Sequence, residues 1–344
     1  MNINDLSKNV HQDKKGKRGF LSGIRAMNVD SMQLLTTAFI LVILMLIIYI
    51  LTPRFISVTN ISNVLQQVSL VMITGSAVTL LMISGNLDLS VGGVLGQAAV
   101  MYAFLARAGL PLGIAILIST LSGSAMGFLN GYMISKLKIT PVIATLGTMS
   151  ITRGLAHVFA DGTMITAGLP RNFKFLTTTY FGPVPLILII VLIVVLLFYF
   201  IQTKTTLGRY ALYIGSNQQT AYFSGLRVDR VIIWLYILSG TLAAFSGVLL
   251  ASRLGAGDSK MGEGFEFDTI VAALIGGTSI AGGKGSITGM IIGAFIMGII
   301  RNGLNLLNVQ YYYQMVIMGI ILVLAILFQR LISEKLSGQT QGLK

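Results

Sequence analysis

Long apolar runs separated by short polar segments dominate the chain. Four runs without any charged residue approach the length of about 20 residues that a helix needs to cross a bilayer, at 34–51, 184–201, 231–252 and 312–329. Mainly apolar stretches that also contain glycine and polar residues lie near 64–84, 91–106, 110–135, 141–159 and 286–307, and a short glycine-rich one lies near 269–282. The pattern predicts an all-α membrane protein, a polytopic bundle of about ten transmembrane helices with one broken, glycine-rich helix.

The composition supports this prediction. Hydrophobic residues make up 54% of the 344 residues and charged residues only 10%, whereas a soluble domain carries about a quarter charged residues. The chain has no cysteine and two histidines, His11 and His157, so it offers neither a disulfide nor a cysteine or histidine metal site. We expect His157 to be a helix-end residue rather than a catalytic one.

The positive charge is distributed as in a membrane protein. The net charge of +13 could indicate nucleic-acid binding, but the cations lie mostly in short segments between apolar runs. With ten spans and both termini in the cytoplasm, sixteen cations lie inside and six outside. We therefore predict a cytoplasmic basic tail near anionic lipid over 1–33, a transmembrane domain over 34–330, a cytoplasmic tail over 331–344, and an acidic loop outside that contains Asp258, Glu263, Glu266 and Asp268.

The segment 84–92, Ser-Gly-Asn-Leu-Asp-Leu-Ser-Val-Gly, joins two predicted spans. Asp88 is the carboxylate nearest to the early spans, and either Asp88 or Ser90 could cap the helix that begins near Val91. A carboxylate within the membrane is also a candidate for function, so both interpretations stay open.

The segment 275–289 holds six glycines and one lysine. It is not a phosphate-binding loop, because Thr278 stands where the loop needs its first glycine and Gly285 where it needs serine or threonine. We predict a broken helix whose backbone lines a cavity. The polar residues of these two segments are candidates for the translocation path, namely Asn86, Asp88, Ser90, Thr278 and Ser279.

The loop 202–230 is predicted to be cytoplasmic and to contain a short helix. Ser216 followed by Gln219 has the spacing of a capping box, and Gly225 can end the helix. A helix of about two turns is unstable alone and needs a surface, which could be this protein, lipid or a partner. The residues assigned to it are Ser216, Asn217, Gln219, Ala221, Tyr222, Phe223, Ser224 and Gly225.

Together these segments resemble the permease subunits of bacterial ABC importers for monosaccharides, the ribose, xylose, galactose and arabinose group. The family pattern Gly-x-Asp-Leu-Ser-Val-Gly is met at 86–92, with Asn86 where glycine is usual. The pattern Leu-Gly-Gly-Thr-Ser-x-x-Gly-Gly-x-Gly is met at 275–285, with Ile275 in place of leucine. The segments 208–228 and 302–314 also look like the family's, and the resemblance covers about 34–330.

The resemblance implies a multi-pass protein of the bacterial cytoplasmic (inner) membrane that is a transport subunit rather than an enzyme. A separate cytoplasmic ABC ATPase subunit would bind ATP, so no cofactor is expected here. An extracytoplasmic sugar-binding protein and a second permease copy, identical or related, are the other implied partners. The helix near 216–225 would couple the ATPase to the membrane bundle.

Other functions make different demands on the sequence. A permease for a branched-chain amino acid or a nucleoside would share the same architecture. An ion-coupled secondary transporter would need acidic residues at mid-membrane, where Asp88 is the only candidate. A membrane enzyme would need a convergent set of reactive groups, which the sequence does not show. The sequence does not indicate which sugar is carried.

Overall fold

The protein is almost entirely helical. The computed structural model describes the backbone of residues 29–341 and the side chains between 34 and 327. Residues 1–28 and 342–344, with most of the predicted basic tail, lie outside the described residues. The helices in chain order are α1 (Val29–Leu51), α2 (Val58–Ile83), α3 (Val91–Arg107), α4 (Leu112–Ser135), α5 (Pro141–Ala160), α6 (Phe175–Thr178), α7 (Leu186–Lys204), α8 (Thr206–Ser216), α9 (Gln218–Phe223), α10 (Val228–Leu254), α11 (Phe265–Ile275), α12 (Ile287–Leu306) and α13 (Tyr311–Gln341).

Two minor elements complete the description. A 3-10 turn, Pro53–Ile56, follows α1. The strands β1 (Tyr180–Phe181) and β2 (Val184–Pro185) form a small antiparallel pair before α7, with Phe181 opposite Val184.

The ten predicted spans correspond to ten helices. Within the described residues, seven helices are long and apolar enough to cross a membrane, namely α1, α2, α4, α5, α7, α10 and α12. The helix α3 and the stretch Tyr311–Leu327 of α13 are shorter apolar helices, and α11 has only 11 residues. The predicted break near 269–282 is confirmed, because α11 ends at Ile275 and the chain is irregular from there to α12.

Aliphatic helices surround a glycine-rich interior. Only 11% of the apolar stretch of α1 and 17% of that of α7 is buried, against 78% for α2 and 61% for α10. The row Gly123, Gly127, Gly131 of α4 lies directly on the backbone of α10, where Gly127 faces the carbonyl of Tyr236. The row therefore serves close helix packing, since any side chain there would overlap α10.

The helices α11 and α12 form an antiparallel pair through a second glycine row. Gly289 lies on the backbone of Gly276, and Gly293 lies on the carbonyl of Ala272. The irregular segment 276–286 lies at the same end of the bundle as α8 and α9, because its Gly282 contacts Gly215 of α8. We call this end the α9 end.

At the opposite end, α2 and α12 are joined by a reciprocal amide pair. The Asn60 Nδ2 donates to Asn302 Oδ1 at 2.9 Å, and the Asn302 Nδ2 donates to Asn60 Oδ1 at 2.7 Å. The predicted acidic loop is wrong in part. Glu266 and Asp268 belong to the first turn of α11 and are 6% and 5% exposed, because α11 begins at Phe265 and packs inside the bundle.

Candidate functional site

The carboxylate of Asp88 is fully buried at the centre of a hydrogen-bond network. It accepts from the Ser90 backbone N–H at 2.9 Å, from the Ser90 hydroxyl at 2.5 Å and from the Ser239 hydroxyl of α10 at 2.7 Å. The Asn130 amide of α4 donates to Ser90 Oγ at 2.9 Å, and Thr148 of α5 donates to Asn130 at 2.6 Å. This network therefore connects the start of α3 to α4, α5 and α10.

The network also shows how the start of α3 is capped. Ser90 is the N-cap of α3 but makes no side-chain capping bond, so the capping expectation for Ser90 is wrong. Asp88 instead receives the Ser90 N–H just before the helix, as in an Asx turn. With three donors on two oxygens and no exposed surface, the carboxylate of Asp88 has its hydrogen-bonding capacity met inside the fold.

The five candidates for the translocation path lie on two segments of the chain. Asp88 and Ser90 share the network, whereas Asn86 donates to the Ser84 hydroxyl at 3.1 Å and is 7% exposed. Thr278 and Ser279 lie on the segment between α11 and α12. Thr278 is fully buried, and the backbone N–H of Ser279 donates to the Lys284 carbonyl at 3.0 Å within that segment.

The three sequence segments meet at the α9 end through their backbones. The N–H of Gly283 donates to the carbonyl of Ile83, the last residue of α2, at 2.9 Å. Gly215 of α8 lies so close to that same carbonyl that any Cβ would overlap it, and the Cα of Gly215 also faces Gly85 and Gly282. We call Gly85, Gly215, Gly282 and Gly283 the glycine junction.

Gln202 reinforces this end. At the end of α7, its side-chain amide donates to the Gly285 carbonyl at 2.8 Å and its oxygen accepts the Ile287 N–H at 3.0 Å. The residue therefore closes the irregular segment and satisfies the first N–H of α12. Gln202 is not among the residues predicted from the sequence, although a glutamine at the end of an aliphatic span is a visible signal.

The short helix α9 is present but begins one residue later than predicted. Asn217, not Ser216, is its N-cap, and its side chain accepts the Thr220 N–H at 2.8 Å. Ser216 ends the preceding α8, where its hydroxyl donates to the Leu212 carbonyl, so the predicted capping box is wrong. The loop therefore contains two helices, α8 and α9, and Thr205 caps the start of α8.

The end of α9 follows the prediction. Gly225 has a φ of 81°, its N–H donates to Tyr222, and the Leu226 N–H donates to Ala221, which is a Schellman motif. Ala221 is buried against the protein. Tyr222 and Phe223 are 67% and 78% exposed, and their rings pack edge to face with centroids 5.9 Å apart.

Toward the opposite end, two half-buried arginines hold α11 and the irregular chain before it. Arg301 of α12 forms an ion pair with Asp268 at 2.7 Å, and the guanidinium of Arg153 of α5 donates to the carbonyls of Ser259 and Met261. Both arginines interrupt apolar spans in the sequence, and this interruption could have marked them as functional.

Comparison with known proteins assigns the family. Residues 60–326 match the family described as "Branched-chain amino acid transport system / permease component". The chain is 38% identical to the ribose import permease protein of Bacillus subtilis over 84% of this chain and 90% of that protein. It is 38% identical to the D-allose transport system permease protein of Escherichia coli over 87% of this chain and 92% of that one.

A third relative, the ribose import permease protein of Escherichia coli, is 35% identical over 83% of this chain and 90% of its own length. No solved structure matches the chain. The glycine junction, the broken α11 and the order of the helices thus belong to a multi-pass inner-membrane protein that works with an ATPase and a substrate-binding protein. The chain is a member of this permease family of ABC transporters.

Proposed function

We propose that this chain is the membrane-spanning permease subunit of an ATP-driven importer that moves a monosaccharide, a pentose or hexose, across the cytoplasmic membrane. The observation that carries the proposal is the identity of 35–38% to ribose and allose permeases over more than four fifths of the chain. These relatives favour a sugar over a branched-chain amino acid or a nucleoside.

ATP hydrolysis is assigned to the separate ATPase subunit, and this chain requires no cofactor. The segment 276–286 has the wrong residues for a phosphate loop. Its Gly282 lies against the backbone of Gly85 and Gly215, and its Gly283 lies against the backbone of Ser216. A glycine that packs against a neighbouring carbonyl leaves no room for a nucleotide phosphate.

The helix α9 is proposed to dock into the ATPase subunit. Tyr222 and Phe223 expose two aromatic rings on a six-residue helix that is too short to enter the membrane. Exposed aromatic residues are typical anchors of protein interfaces. The opposite face of the helix, at Ala221, is buried, so a displacement of the rings would move the helix as a unit.

A movement of α9 would reach the interior through the glycine junction. One residue, Asn217, connects α9 to α8, and Gly215 lies on the end of α2 and on the segment before α12. Backbone atoms in direct contact cannot be compressed, so α8 would push both segments together. We propose this as the route by which ATPase closure changes the access of the bundle.

The orientation assigned to the protein places the α9 end and both termini in the cytoplasm. The ion pairs of Lys136 and Lys138 with Asp229, at 2.8 and 3.4 Å, lie at this end. Two lysines for one aspartate give this end an excess of cations, which is typical of the cytoplasmic side. Cysteines introduced at Gln219 and Glu263, both exposed, should react with an impermeant reagent from opposite sides. Labelling of both sites from one side would contradict the orientation.

A second permease copy is proposed to pack against α5. This helix has the lowest mean hydropathy of the seven long helices, yet only 28% of its apolar stretch is buried. Its exposed face carries Gly147, Ser150 and Gly154 at helical spacing, and the two glycines have open space around them. Small and polar residues suit close helix packing or a wet passage better than contact with lipid tails.

The absence of natural cysteines makes this arrangement testable. In a two-fold dimer, a residue near the axis faces its own copy, so Ser150→Cys should form a cross-link between two chains. The matched control Leu196→Cys, on the exposed aliphatic face of α7, should remain monomeric. Cross-linking of Leu196→Cys alone would place the second copy elsewhere.

The function itself is tested by uptake into proteoliposomes that contain the permease, its ATPase subunit and its binding protein. Labelled ribose and allose should enter only when ATP is present with the ATPase. Uptake of leucine or a nucleoside in place of sugar would contradict the substrate class. Sugar uptake without the ATPase would indicate a secondary transporter.

A further inference from the structure

A groove of about 320 Å³ opens beside α9, between α8 and the first two turns of α10. The coupling role of α9 does not use this groove, because the exposed rings of Tyr222 and Phe223 do not line it. Its rim is basic and its walls are largely apolar, which is the character of a site for an amphiphile.

The basic rim consists of Arg227 and Arg230. Both are exposed, and neither forms an ion pair with any residue between 34 and 327. Asp229 lies between them in the chain but is paired with Lys136 and Lys138. Two positive charges without a countercharge therefore converge on one groove, and their guanidinium groups are suited to a phosphate.

The apolar side of the groove rises along α10. Trp234 follows Arg230 by one turn on the same face and is 57% exposed, and Leu207 of α8 stands across from it. Tryptophan is enriched where a protein passes the boundary between lipid head groups and hydrocarbon. The groove therefore leads from cationic head-group level to apolar surface within about two helical turns.

We propose that this groove binds one anionic phospholipid of the cytoplasmic leaflet. The phosphate lies between Arg227 and Arg230, and an acyl chain follows Trp234 past Leu207. Basic pockets on the cytoplasmic side of a helix bundle are suited to acidic lipid head groups. A soluble phosphate would satisfy the two arginines but would leave the apolar walls and the tryptophan uncovered.

The lipid would also support α9. Gly225 and Leu226, which close that helix through the Schellman motif, form one wall of the groove. An occupied groove would hold this wall in place, so coupling to the ATPase would depend on anionic lipid. This consequence rests on the proposed function, whereas the binding of the lipid does not.

The test uses the one tryptophan of the chain as a reporter. The purified full-length permease is placed in bilayers of phosphatidylcholine that contain a small fraction of brominated phosphatidylglycerol or of brominated phosphatidylcholine. Trp234 fluorescence should be quenched at lower fractions of the brominated anionic lipid. Arg227→Gln with Arg230→Gln should abolish this preference, with roughly fivefold weaker binding for each arginine removed.

The matched control is Lys204→Gln with Arg209→Gln, which removes two exposed cations of the same end outside the groove. This control should keep the preference. Equal quenching by both brominated lipids, loss of the preference in the control, or displacement of the quenching lipid by inorganic phosphate would overturn the proposal. The ATPase rate is measured separately in the two lipids, so a failed coupling and a failed lipid site give different results.

Discussion

Two sets of contacts, one toward each end of the bundle, differ in their chemistry. At the α9 end, Gly215 and Gly283 bring α8 and the broken segment onto the carbonyl of Ile83, so backbone meets backbone. Toward the opposite end, long charged side chains reach across, as Arg301 does to Asp268 and Arg153 does to the carbonyls of Ser259 and Met261. The glycine junction is a contact between backbones, whereas these two arginines form individual side-chain links.

From this difference we expect the backbone contacts to transmit a movement and the side-chain links to fix the chain. A backbone contact carries displacement in full, because nothing flexible lies between its two sides. An arginine side chain can rotate and still keep its ion pair with a carboxylate. It therefore tolerates movement of the helices while the buried carboxylate stays paired. We therefore expect substitutions at the two ends to affect coupling and stability differently.

The largest effect on stability is expected at the ion pair. Arg301→Ala leaves Asp268 buried without a partner and should cost about 3–5 kcal/mol in the free energy of unfolding. The double variant Arg301→Met with Asp268→Leu removes both charges and should recover much of the loss. Thermal unfolding in detergent measures both, and equal melting temperatures for Arg301→Ala and the unmodified protein would contradict a buried pair.

The next effect is at the glycine junction. In Gly215→Ala, the added Cβ would overlap the carbonyl of Ile83 and lie 2.6 Å from the backbone nitrogen of Gly283, so helix α8 must move away. We expect a loss of roughly 3 kcal/mol and a loss of sugar-stimulated ATP hydrolysis. Hydrolysis should fall even at temperatures where the protein remains folded.

The matched control for this variant is Gly319→Ala. Gly319 lies in α13 with nothing near its Cα, so alanine should stabilise the helix by up to about 1 kcal/mol. Transport should be unchanged. Equal coupling in Gly215→Ala and Gly319→Ala would show that contact at the junction is not needed to pass on a movement.

The smallest effect is expected within the Asp88 network. Ser239→Ala removes one of three donors to the carboxylate and should cost about 1–2 kcal/mol, while the two bonds from Ser90 remain. We expect the network to hold helices rather than cargo, so the KM for sugar uptake should not change. A raised KM at normal stability would show that Asp88 faces the sugar.

The sequence predicted the helices better than their contacts. Apolar runs such as Leu34–Leu51 and the glycines between α11 and α12 are local signals, and the structure confirms both features. The helix end at Gly225 was also predictable, because the positive φ of the residue that follows a helix favours glycine. The path candidates Asn86, Asp88, Ser90, Thr278 and Ser279 stay predictions.

The parts that were missed depend on partners distant in the sequence. Nothing near Asp88 reveals that Ser239, 151 residues away, donates to it. The choice of Asn217 over Ser216 as N-cap was ambiguous because both residue types cap helices well, and the preceding α8 occupies Ser216. The buried position of Glu266 and Asp268 follows from packing against α3 and α12, which the chain order does not show.

The central claim is that α9 passes the movement of an ATPase into the bundle, and Phe223→Asp tests it most directly. This variant places a charge on the most exposed ring of α9 and touches no membrane span. The account predicts that the variant inserts normally but loses co-purification of the ATPase and sugar-stimulated ATP hydrolysis, whereas Phe223→Leu keeps both. Co-purification of the ATPase with Phe223→Asp at the yield found for the unmodified protein, together with normal transport, would contradict the claim.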